Sequence, residues 1–61
     1  MITLRKMDNT SITINPDFIL SIEENPDTLI TLSNGRKLIV KESRNDIVDL
    51  FIQLKRQILR N

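Results

Sequence analysis

The hydrophobic residues of this chain change period once, near Ser43. Before that point apolar and polar residues alternate, as on strands with one buried face. After it they recur at three and four, as on one side of a helix. A chain with that order has few ways to close a core. Its strands must make a sheet, and its helix must cover one face of it.

Ile2 and Leu4 alternate with Thr3 and Arg5, and Ile12 and Ile14 with Ser11 and Thr13. Residues 2–7 and 10–14 are therefore expected to form a hairpin, closed by Asp8-Asn9, which tolerate positive φ better than most residues. Asn15-Pro16-Asp17 interrupts the pattern, because proline lacks the ladder N–H and Asn and Asp favour turns. Residues 18–24 follow as a strand, with Phe18, Leu20 and Ile22 on one face and Ile19 on the other. Asn25-Pro26-Asp27 is a second break of like composition. Residues 28–32 and 36–41 then flank Asn34-Gly35, the strongest short hairpin signal, expected as a type I′ turn with positive φ at both centres. Gly35 is the single glycine of the chain, and the turn accounts for it.

Ser43 is placed to cap a helix by accepting from the N–H of Asn45 or Asp46. Ile47, Leu50, Phe51, Leu54 and Ile58 form one apolar face. Asp46 and Asp49 come early and Lys55, Arg56 and Arg60 late, which suits the helix dipole. The predicted helix, residues 44–60, is roughly 25 Å long at ~1.5 Å per residue, enough to cross the sheet. The expected fold is α+β, with residues 1–61 as a single domain. It has a small twisted antiparallel sheet of about five strands in successive hairpins, followed by one C-terminal amphipathic helix packed on it.

Val48, Ile52 and Leu59 make a second apolar line beside the first. They either widen the core-facing stripe or meet another molecule. With Lys55 and Arg56 they are the candidate surface for a protein partner or a homo-oligomer, because large exposed apolar patches are uncommon on monomers.

Chemistry is harder to find. The 61 residues include no His and no Cys. The commonest general base, the commonest metal ligand and any thiolate are thereby missing, as is any disulfide. The serines have no imidazole to activate them. Glu23 and Glu24 are neighbours on a strand, so they point to opposite faces. Glu23, Asp27 and Glu42 do not follow the spacing of a calcium loop. No catalytic, cofactor or metal residue is expected, and the chain reads as non-enzymatic.

Nine Lys/Arg against eight Asp/Glu leave a net charge of +1, and the aromatics are two Phe. That balance disfavours nucleic acid as a partner. The first residues contain no apolar signal region. The longest apolar runs, such as Leu38-Ile39-Val40, fall far short of the ~20 residues a membrane helix needs. A cytoplasmic location follows as the default expectation, with any membrane association indirect.

Several stretches together resemble the FlbD/SwrD family of small bacterial flagellar and swarming-motility proteins. They are Met1-Ile2 with Leu4, Ile14-Asn15-Pro16-Asp17-Phe18-Ile19, Ile22-Glu23, Pro26 through Lys37, and Val40-Lys41-Glu42-Ser43. The likeness covers nearly the whole chain. It departs at Asp8-Asn9, where the family commonly carries Asn-Gly, and at Leu54-Lys55, where an aromatic before Lys is common. The resemblance implies a cytoplasmic accessory of the flagellar system that lies near the flagellar base. SwrD-type members are non-enzymatic and support motor power through the membrane-embedded MotA/MotB stators. The resemblance therefore implies a small protein-interaction module that promotes motor output or assembly, with motor or stator components as partners. Two other readings stand beside it. One is a DNA-binding module loosely similar to LytTR-type domains; the other is a purely structural homo-oligomer.

Overall fold

A computed structural model of the chain describes residues 1–59; of Gln57, Ile58 and Leu59 it describes the backbone alone. Strands β1 (Ile2–Arg5) and β2 (Ser11–Ile14) pair as one antiparallel hairpin. Strands β3 (Ile19–Glu24), β4 (Thr28–Leu32) and β5 (Lys37–Val40) make a second antiparallel sheet, and the helix α1 spans Arg44–Leu59. A bridge between Lys6 and Val40 joins the two sheets, and the Lys41 N–H donates to the Arg5 carbonyl at 2.8 Å. In space the strands therefore run β2, β1, β5, β4, β3. The expected α+β arrangement, antiparallel strands and then one helix, is the one observed. The expected helix end at Arg60 lies outside the described residues.

Alternation decides the core. Ile2, Leu4, Ile14, Ile30, Leu38 and Val40 are buried on the inner strand faces, and Ile47 of α1 is fully enclosed among them. Ile2 faces Ile14, and Leu4 faces Ile12, across β1–β2. Their neighbours Thr3 and Thr13 point outward and share a hydroxyl–hydroxyl bond of 2.9 Å.

β3 departs from the expected face assignment. Ile19 lies opposite Leu32, but Ser21 lies opposite Thr31, so Leu20 has no partner across the pair. This bulge shifts the alternation by one residue. Ile19 and Ile22 both pack on the core, while Leu20 is 72% exposed. Phe18 belongs to a short 3-10 turn, Pro16–Phe18, and is 58% exposed. The shared face of Phe18, Leu20 and Ile22 is thus corrected: a straight strand would have required it, and the extra residue abolishes it. Asn15 caps the 3-10 turn by accepting from the Asp17 N–H at 3.0 Å.

The two tight loops follow one plan. In the first, Asn9 N–H donates to the Lys6 carbonyl and Lys6 N–H to the Thr10 carbonyl. In the second, Gly35 N–H donates to Leu32 and Leu32 N–H to Arg36. Each is a turn followed by one residue in the left-handed region, Asn9 at φ 72° and Gly35 at φ 89°. This is the three-residue hairpin loop rather than the expected type I′ turn, since Asn34 keeps a negative φ. The residue before the left-handed one closes each loop with its side chain. Asp8 accepts from the Thr10 N–H, and Asn34 from the Arg36 N–H, both at 3.0 Å.

Candidate interaction surface

The start of α1 is fixed by side chains that satisfy backbone N–H groups. Ser43 Oγ accepts from the Asp46 N–H at 3.1 Å, as expected of a cap, and the Asp46 carboxylate accepts from the Ser43 N–H in return. Glu24, at the end of β3, accepts from the Arg44 N–H at 3.2 Å. Glu42 accepts from the Arg5 N–H through both oxygens, at 2.9 and 3.0 Å. Carboxylates at the first turn also suit the positive end of the helix dipole. Glu24 and Glu42 therefore tie the helix entry to β3 and β1.

With the entry fixed and Ile47 in the core, the rotation of α1 is set. Residues one and five positions beyond Ile47 turn away from it by about 100° and about 140°, at ~3.6 residues per turn. They are Val48 and Ile52, which are 41% and 44% exposed. Leu50, Phe51 and Leu54 are half-buried. Of the two readings of the second apolar line, the wider core stripe is overturned for Val48 and Ile52. Leu59 and the first-line residue Ile58 have side chains outside the described residues.

Val48, Ile52 and Lys55 form one wall of a groove of about 660 Å³. Its other wall is Met1 with the segment Asn15-Pro16-Asp17, and Phe51 lies along it. Lys55 and Asp17 supply one charge of each sign. Arg56 is exposed beside this wall without lining the groove. The sequence brings Val48, Ile52 and Lys55 together by helical spacing alone. It gives no local signal for Met1 and Pro16, because their approach to α1 depends on how β1 and the 3-10 turn sit in the finished fold.

A second apolar area lies on the outer face of the β3–β5 sheet. Leu29 and Ile39 are paired there, the first half-buried and the second 46% exposed. The Asp8 carboxyl titrates below its ordinary value of 3.8, chiefly because the Thr10 hydroxyl donates to it at 2.5 Å. This group serves the first hairpin loop. Lys41, from the end of β5, donates to the Asn9 side chain over the same loop.

Among the described residues, no helix is long and apolar enough to cross a membrane. A protein-family model described as FlbD, flagellar and swarming motility proteins, matches residues 1–59. No curated protein and no solved structure matches the chain.

Proposed function

The chain belongs to the FlbD family of flagellar and swarming motility proteins, and on that footing we propose that it is a non-enzymatic interaction module supporting the power of the flagellar motor at its stator. The observation that carries this reading is the family match over nearly the entire chain. The absence of His and Cys from the sequence supports a role without chemistry of its own. The partly exposed apolar pairs Leu29/Ile39 and Val48/Ile52 give such a module surfaces to bury against a protein. Each side chain contributes about half or less of the ~1.5–3 kcal/mol of a full burial, because the rest is already covered. We place the protein in the cytoplasm beside the flagellar base, where the membrane is reached only through the motor.

Deletion of the gene is expected to abolish or slow swarming while flagella remain at wild-type number, and to lower the torque of tethered cells. Complementation with the wild-type chain restores both. Complementation with Ile39→Asp tests the sheet face, with circular dichroism of the purified variant to separate lost contact from lost fold, since the change costs about 1 kcal/mol in strand propensity alone. Wild-type swarming and torque in the deletion strain would refute the proposal. A deletion that removes the flagella themselves would move the role from motor power to assembly.

A further inference from the structure

Val48, Ile52 and Lys55 follow one another at steps of four and three along the outer flank of α1. That is the step of a coiled-coil seam. Val48 and Ile52 are exposed although aliphatic, and the aliphatic stem of Lys55 can cover apolar surface while its ammonium stays in water. Asp49 and Arg56 are also exposed. They lie about two helical turns apart, on the same side of that seam.

We propose that this flank pairs with the same flank of a second copy of the chain, the two helices antiparallel about a two-fold axis near Ile52 and Gln53. The charge pattern selects this occupant. A two-fold of that kind maps one side of the seam onto itself end for end, so the contact is self-complementary. Asp49 then faces Arg56 of the partner subunit, and Arg56 faces Asp49 of the partner subunit. A parallel pair would instead carry Asp49 and Arg56 of the partner subunit to the opposite side of the seam, where neither meets its complement. At the axis Ile52 meets its own copy, and Val48 packs against the stem of the partner subunit's Lys55. The second helix lies over the groove and covers Met1, which is 70% exposed in the single chain.

This dimer goes beyond the motility reading and is measured independently of it. Sedimentation equilibrium of the full chain is expected to show mass rising from monomer to dimer with concentration. Ile52→Asp is expected to stay monomeric with an unchanged circular dichroism spectrum. Asp49→Arg and Arg56→Asp are each expected to be monomeric alone and to form a dimer when mixed, because every facing pair then carries opposite charge. Orientation is read from single cysteines, which the native chain lacks. Asp49→Cys crosslinks with Arg56→Cys and not with itself. A wild-type chain that stays monomeric at millimolar concentration overturns the proposal; so does a dimer that survives Ile52→Asp, or a mixture of charge variants that fails to associate. A monomeric wild type whose Ile52→Asp form still loses swarming assigns the flank to a foreign protein and leaves the motility role standing.

Discussion

Replacing Gly35 by alanine puts a Cβ where no heavy atom lies within 4 Å. Steric conflict with the rest of the fold is thereby removed from the account, and only the backbone conformation remains. A non-glycine residue in the left-handed region costs ~1–2 kcal/mol. Alanine also restricts the unfolded chain, which returns about 0.4–1 kcal/mol. The expected net loss is about 1 kcal/mol, a fall in Tm of ~4–8 °C for a domain of this size. A chain of this length has roughly 3–9 kcal/mol to lose, so the variant still folds. Urea titration followed by far-ultraviolet circular dichroism measures the difference, with an unchanged m-value. Gly35→Asn supplies the internal control, because Asn9 already holds the equivalent place in the first loop at φ 72°. It should lose less than Gly35→Ala. A loss above ~3 kcal/mol for alanine, or none at all, would show that φ at this position does not decide the loop's stability.

Three further outcomes follow from the same geometry. Ser43→Ala, which removes the acceptor for the Asp46 N–H, should cost about 1 kcal/mol in urea titration, whereas Ser43→Asn should retain most of the stability. Leu20→Ala should change stability by less than about 0.5 kcal/mol and Ile19→Ala by ~1–3 kcal/mol, scaled down from a fully buried site; the reverse ranking would mean that β3 has no bulge. Asp8 should titrate below 3.8 by carbon-detected NMR. Because its folded value is the depressed one, the loop bond's contribution is complete above 3.8 and is lost as pH falls through the folded value. Asp8→Asn should abolish that acid dependence, and titration at or above 3.8 would contradict it.

Much of this fold can be read along the chain. Strict alternation placed Ile2 with Leu4, and Ile12 with Ile14, each pair on one strand face, and the three-four spacing placed Ile47 on the packed side of the helix with its capping Ser43. Leu29-Ile30 and Leu38-Ile39-Val40 are apolar on both faces, so only the fold shows that Ile30, Leu38 and Val40 are the buried ones. The failures share a cause. Phe18-Ile19-Leu20 is apolar on both faces, so period two could not say where an extra residue would enter. Asn34-Gly35 marks a hairpin, but one left-handed residue suffices for the longer loop and two are needed for the shorter; the dipeptide fits both. At the candidate surface, helical geometry separated Val48 and Ile52 from Ile47. It could not show that they would be left uncovered, since that depends on how far the small sheet reaches. Met1 and Pro16 join them only in the folded chain, through a long-range approach that carries no local mark.

The bulge at Leu20 has one more effect. Among the described residues β3 pairs only with β4, so its other side presents unpaired N–H and C=O groups to any strand that drifts past. A regular row of such groups is a template on which chains zip together into aggregates. An unpaired second residue breaks the rhythm of that row near its start, and the regular stretch open to a visiting strand shortens to the four residues Ser21–Glu24. The same irregularity that puts a leucine into water thus guards the margin of the sheet, leaving association to the helix, where partner and geometry can be specified.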